Sequence, residues 1–116
     1  IDTDRVYITG LSMGGFGTWE FTSRRSDLFA AAIPMAGYSD PNQVENIKNI
    51  PFWIFHGASD TSNPVEGSRT MYKLLSDAGA DVTYTEYEDT GHGESFKKAF
   101  NEPDLIDWLF SKTKTN

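Results

Sequence analysis

Short apolar runs alternate with amphipathic stretches along this chain, and that alternation most restricts its fold. Residues 5–9 read as a strand and residues 15–25 as a helix, with Phe16, Trp19, Glu20 and Ser23 at helical spacing. Residues 30–35 form a short apolar run, read as a buried strand. Residues 41–46 read as a short helix behind Asp40 as N-cap. Phe52-Trp53-Ile54-Phe55, ending at His56-Gly57, suits a strand buried on both faces. The next helix is strongly signalled. Asn63 can cap it, Pro64 fits its first position, and Glu66 stands where a capping box places an acid. Val65, Ser68, Met71, Tyr72 and Leu75 share one side of that helix, and Gly79 ends it. Residues 81–87 alternate as a strand does. Two helical pieces follow at 94–100 and 104–110, with Pro103 opening the second.

The order β-α-β-α-β-α-β-α implies an α/β fold. Its sheet should be mostly parallel, joined by right-handed crossovers, with helices on both faces. Ligands in such sheets bind at the carboxyl ends of the strands. Ser12, the loop after His56 and the loop holding His92 all fall at that rim.

Gly10-Leu11-Ser12-Met13-Gly14 has the form G-x-S-x-G, between a strand and a helix. This is the form of a nucleophile elbow, a sharp turn that lifts a serine hydroxyl clear of the backbone. The two glycines are expected where an added Cβ would crowd the neighbouring strand or helix. The Met13 amide falls at a helix N-terminus, where unpaired N–H groups and the helix dipole favour an oxyanion. By composition alone the motif arises in about 4% of chains this long, so its place between strand and helix and its partners carry the weight.

A serine hydroxyl needs a base, and an imidazole suits neutral pH. The chain has two histidines, His56 and His92. An acid must then orient the ring. In elbow-type hydrolases the chain order is Ser, Asp or Glu, then His. Ser12, Asp60 and His92 follow it, with His92 read as a loop residue between two glycines that allow a tight turn. Asp89 is the rival acid, but its closeness to His92 suits an Asx-turn better. Asp60 alternatively caps a local turn with Ser59, Thr61 and Ser62. His56 reads as structural, ending a buried strand and able to hydrogen-bond the acid-bearing loop. Tyr38 falls either at a substrate mouth or on a solvent-facing loop. Trp19, Trp53 and Trp108 read as core.

Composition narrows the alternatives. With 116 residues, 38% apolar and 14% aromatic, the chain suits one compact domain rather than a disordered segment. A net charge of −7 without a basic stripe argues against nucleic-acid binding. No run is long enough to span a bilayer, so no membrane partner is expected. With no cysteine, disulfides, thiolate nucleophiles and thiolate metal sites are excluded. No metal or other cofactor is expected.

Together these residues resemble the α/β-hydrolase superfamily. The likeness is strongest to bacterial esterases of the predicted-peptidase or prolyl-oligopeptidase-like group, relatives of feruloyl esterases and polyhydroxybutyrate depolymerases. It rests on Ile1-Asp2 through Arg5-Val6-Tyr7, and on Gly10 to Gly15 with Gly17-Thr18-Trp19. It continues through Phe55-His56-Gly57 with Asp60 and Pro64, and ends with Gly91-His92 and Asp107-Trp108-Leu109. The resemblance implies Ser12 as nucleophile, Asp60 as acid, His92 as base and the Met13 amide as an oxyanion donor; Tyr38 is a candidate substrate contact by its place after the Ala-rich strand alone. It implies a carboxylic-ester hydrolase acting on a small-molecule ester through an acyl-enzyme. A serine peptidase with the same triad, or an inactive piece that only associates, are the alternatives. It favours a secreted or periplasmic setting, which the residues themselves do not fix.

Two departures from the family pattern stand out. Asn63 precedes Pro64 where an apolar residue is usual. The family also has about four more strands ahead of the elbow strand, and a loop among them supplies the second oxyanion N–H. Residues 1–116 are therefore expected to form a partial domain, from elbow strand to C-terminal helix. The exposed sheet edge would be covered by an N-terminal half or by a homo-oligomer.

Overall fold

The computed structural model describes residues 2–114. Four strands form one sheet in the order β1 (Tyr7–Leu11), β2 (Ala31–Met35), β3 (Phe52–Gly57), β4 (Val82–Tyr87). All neighbours are parallel, with Tyr7 beside Ala31 and Phe52 beside Val82. The helices are α1 (Met13–Arg24), α2 (Val44–Ile47), α3 (Val65–Asp77), α4 (His92–Phe100) and α5 (Leu105–Phe110). A 3-10 turn at Pro41–Gln43 leads into α2. The α/β architecture expected from the alternation is the one found.

Spatial order equals chain order, so every crossover steps the same way. Right-handed crossovers then place their helices on one face. Accordingly Trp19 of α1, Val44 and Ile47 of α2, and Met71 and Leu75 of α3 pack on Ala32, Phe52 and Ile54. The other face is covered after β4. There Ala99 of α4 and Leu105 of α5 pack on Ile33, Met35, Trp53 and Phe55. Alternate residues of β3 thus feed opposite cores, as strand geometry requires, and its apolar run is buried throughout. All three tryptophans join these layers. Trp19 stacks on Phe52 at 4.7 Å, and Trp108 meets Trp53 edge-on at 5.6 Å.

β2 carries Pro34 although it is an interior strand. Its pairing with β3 runs Ala32 to Phe52 and Met35 to Phe55, skipping Ile33 and Pro34. Proline has no N–H to donate to a ladder.

Several boundaries differ from the sequence reading. β1 runs to Leu11, immediately before Ser12, because Gly10 and Leu11 still pair with Pro34 and Met35. Asp40 does cap, accepting the Asn42 amide at 2.9 Å, but the turn it opens is 3-10. Asn63 does not cap α3. Its side-chain amide donates instead to the Ala36 carbonyl at 2.7 Å, and Pro64 stands at the N-cap. α4 begins at His92 rather than at residue 94. Gly79 ends α3 at φ +80°, in the left-handed region that glycine tolerates.

Candidate active site

Ser12 is the single residue between β1 and α1, with φ 54° and ψ −115°. A non-glycine residue held there stores roughly 1–3 kcal/mol of strain. Two hydrogen bonds hold it. The Ser12 amide donates to the Met35 carbonyl at 2.9 Å, and the Ser12 carbonyl accepts from the Phe16 amide at 3.0 Å. The glycines make the turn possible by close approach. A Cβ on Gly10 would stand 2.2 Å from the Gly14 oxygen, and one on Gly15 would stand 2.4 Å from the Met35 oxygen. Gly14 departs from expectation, since a Cβ there meets nothing within 4 Å. The crowding runs from Gly10 into the Gly14 backbone, so only one of the two motif glycines is sterically required.

The acid loop leaves the end of β3. Asp60 folds its Oδ1 back onto its own turn, accepting the Ser62 amide at 2.8 Å and the Asn63 amide at 2.9 Å. Its Oδ2 faces the rim, 2.7 Å from His92 Nδ1. The turn-capping and ring-facing readings of Asp60 are thus both realised, one on each oxygen. The Asp60 side chain is fully buried, while that of His92 keeps 24% of its surface exposed. Burial pushes the Asp60 carboxyl up. The Asn63 amide, the His92 ring and the Ser62 amide outweigh it and hold the group below the usual carboxylate range.

His92 opens α4 from an extended Gly91, φ −85° and ψ −172°, a backbone any residue adopts. The turn therefore needs no glycine conformation, contrary to the sequence reading. Asp89 does take a positive φ of 52°, but the acid on His92 is Asp60. The His92 ring lies edge-on to Phe96 at 5.0 Å, one helical turn along. Its Nε2 is 2.9 Å from Ser12 Oγ. An ionised carboxylate only accepts, so Nδ1 carries the proton and Nε2 accepts from the serine hydroxyl. Residues 12, 60 and 92 are thereby joined in one hydrogen-bonded line. The arrangement can lower the cost of deprotonating Ser12.

Met13 begins α1, so its amide has no intrahelical acceptor, while its side chain is 84% exposed. Tyr38 is half-buried, edge-on to Phe16 at 4.9 Å. It lines a cavity of about 320 Å³ with Pro41, Pro64, Glu66 and Thr70. A larger cavity of about 740 Å³ opens at the amino ends of the strands, between Ala30, Pro51, Asp81 and Lys112, on the rim opposite Ser12. Among the described residues no group of three or more His, Asp or Glu is placed to hold a metal ion, and no helix is long and apolar enough to cross a membrane.

Two neighbours of the line add to it, and one, Phe96, was not anticipated. Phe96 stands at i+4 from His92, a spacing visible only once the helix is known to start at His92. His56 reaches the acid loop as expected, with Nε2 3.0 Å from the Asn63 carbonyl. It also stands 3.3 Å from Asp60 Oδ2, the oxygen that holds His92.

Parallel sheet, elbow turn and the convergence of three loops on one rim define the α/β-hydrolase class. Within it, the chain belongs to the dienelactone hydrolase family, whose sequence model matches residues 1–104. A thermostable esterase of known structure superposes with a TM-score of 0.94 at 44% identity, over 98% of this chain and 32% of that one. An uncharacterized secreted protein of Arthroderma benhamiae is 31% identical over 122 residues, covering 79% of this chain and 13% of that protein. The acylaminoacyl peptidase of Pyrococcus horikoshii shares the fold, with a TM-score of 0.81 at 22% identity over 99% of this chain and 25% of that one. The chain thus spans a third or less of the length of these relatives.

Proposed function

We propose that this chain carries the catalytic residues of a serine hydrolase that cleaves carboxylic esters. Ser12 Oγ attacks the ester carbonyl while His92 Nε2 takes its proton. Asp60 holds the ring in the required tautomer and stabilises the imidazolium. The Met13 amide donates to the oxyanion of the tetrahedral intermediate. Collapse expels the alcohol, which takes the proton from His92 and leaves an acyl-enzyme on Ser12. Water, activated by His92, then releases the acid. Tyr38 and the cavity beside it form part of the substrate mouth.

One observation carries this reading: Ser12 Oγ, His92 and Asp60 stand in line at 2.9 and 2.7 Å, although 80 and 32 residues separate the successive partners. Membership of the dienelactone hydrolase family and the likeness to a thermostable esterase support hydrolysis as the reaction class. We read residues 1–116 as a partial domain. A further segment or a second copy pairs with the free edge of β1 and supplies another oxyanion donor.

Ser12→Ala in the full-length protein is expected to lower turnover of a chromogenic short-chain ester by about a thousandfold or more, and to abolish labelling by a fluorophosphonate probe. Near-wild-type turnover by that variant would reject the assignment. Parallel assays on an ester and an aminoacyl-anilide read whether the alcohol or the amine is the preferred leaving group.

A further inference from the structure

His56 belongs to no step above, yet its ring touches the acid. It lies fully buried at the end of β3, and every polar atom on it has a partner. Nε2 faces two acceptors, the Asn63 carbonyl at 3.0 Å and Asp60 Oδ2 at 3.3 Å. A carbonyl only accepts, so the proton sits on Nε2 and is donated to Asn63, with Asp60 Oδ2 in close electrostatic contact beside it. Nδ1 lies 2.7 Å from Ser68 Oγ on α3. Ser68 is itself buried and 3.2 Å from the Gly37 carbonyl. Its hydroxyl can donate to the neutral ring, or turn to Gly37 if the ring takes a second proton.

We infer that His56 is a positioning residue for the proposed hydrolase. Its Nε2–H braces the Asp60–Asn63 turn through the Asn63 carbonyl and sets the ring's positive edge 3.3 Å from Asp60 Oδ2, so that the carboxylate stays turned to His92 Nδ1. The inference rests on the serine-hydrolase reading. The physical reason is geometric. A carboxylate oxygen with a single donor can swing about its bond. One whose sister oxygen is bound to two amides of a turn that is itself pinned, and whose free side meets a ring N–H edge at 3.3 Å, cannot.

The surrounding charges are consistent with a bracing role. The charged groups facing the ring are Asp60 and, beside it on β4, Glu86. Glu86 is held by Arg69 through two bonds of 2.7 Å, and its other contact is the Tyr84 hydroxyl. The carboxylate left closest to His56 is therefore the one that orients His92. Ser68 anchors the ring from α3, so β3, α3 and the acid loop meet on one imidazole.

Three variants of the full-length protein test this. His56→Phe keeps a ring but removes both nitrogens. His56→Gln restores an N–H near the Nε2 position. Ser68→Ala loosens the ring from its far side. Ester turnover is read as kcat and KM separately. The proton between His92 Nδ1 and Asp60 is followed as a downfield resonance by proton NMR, a signal that needs no turnover. For His56→Phe the expectation is a kcat lower by about tenfold or more with KM within about twofold, and a shifted or lost resonance. His56→Gln should recover kcat to within about threefold of wild type and keep the resonance, and Ser68→Ala should fall between the two.

Equal impairment by Phe and Gln would overturn the inference, because an N–H near the Nε2 position would then make no difference. An unchanged resonance and kcat in His56→Phe would overturn it as well. Should His56→Phe fail to fold, the Gln and Ser68→Ala pair decides: an unshifted resonance with wild-type kcat in Ser68→Ala, or loss of both in Gln, counts against bracing. If instead Ser12→Ala stays active while the resonance behaves as expected, the hydrolase reading fails and the bracing of Asp60 by His56 stands.

Discussion

The two motif glycines around Ser12 look alike in sequence and differ in physics. Gly10→Ala drives a Cβ to 2.2 Å from the Gly14 carbonyl oxygen, and both partners are backbone atoms that can only move by opening the elbow. The expected cost is about 1–3 kcal/mol of stability, with loss of the Ser12 geometry. Gly14→Ala meets open space at the second position of α1, where alanine is the better helix former. It should leave stability unchanged or slightly raised. Urea midpoints of the two variants check this, and equal destabilisation would refute the steric account. Asp60 offers a second test at this scale. Its carboxyl is held below the unfolded value of 3.8, so the folded state favours its charged form. That stabilisation is complete above the unfolded value and is lost as pH falls through the lower folded value. The stability gap between wild type and Asp60→Asn should therefore be constant near neutrality and shrink below pH 3.8. Urea midpoints across that range measure it, and a gap that ignores pH would show that the Asp60 charge does not contribute.

Among the elements, α1 depends most on one side chain. Trp19 is fully buried, stacks on Phe52 and donates its indole N–H to the Gly37 carbonyl at 3.1 Å. Trp19→Ala should cost roughly 3–5 kcal/mol, read as a large fall in thermal midpoint. A shift no larger than that of an exposed substitution would mean α1 is not pinned there. The layer that Trp19 closes was legible in the sequence, because a period of 3.6 in α1 and α3 and unbroken apolar runs in β2 and β3 report burial directly. The order Ser12, Asp60, His92 was legible for a similar reason: strand ends in a parallel sheet share a rim. Element starts were less legible. Gly91-His92-Gly93 looks like a turn because glycine disfavours helix interiors, yet α4 starts at His92 and places Phe96 against its ring. Asn63 has the chemistry of a cap, but a carbonyl from the 36–37 turn competes for its amide and wins. That competitor is 27 residues away, and no local pattern announces it. That His56 would meet the acid-bearing loop was legible, but which of its atoms it reaches was not. His56 and Asp60 are only four apart, but the turn between them decides whether they face each other.

At the scale of the molecule, the two edges of the sheet are unlike. The radius of gyration is 13.1 Å, close to the roughly 13 Å expected of a compact domain of about 100 residues, so the residues do pack as a unit. β4 is half-buried along most of its length, and Arg69 from α3 reaches across to grip its Glu86. β1 pairs with β2 on one side and with no strand on the other among the described residues. Leu11 at its end is 41% exposed and Met13 just after it 84%, and Phe21 on the following helix is 59% exposed. A strand that offers free N–H and C=O groups beside exposed apolar side chains is a template for pairing with another chain. These 116 residues, prepared alone, should therefore self-associate through β1, at concentrations where a net charge of −7 would otherwise keep copies apart. Sedimentation velocity should show dimers or larger species. Leu11→Lys with Phe21→Lys should shift them towards monomer without lowering the urea midpoint by more than about 1 kcal/mol in stability. A change at the opposite edge of the sheet, Tyr72→Lys on α3, whose ring lies 5.6 Å from that of Tyr84 on β4, should leave the association in place. A monomeric wild-type chain, or association removed only by the Tyr72 change, would show that β1 is not the face that seeks a partner.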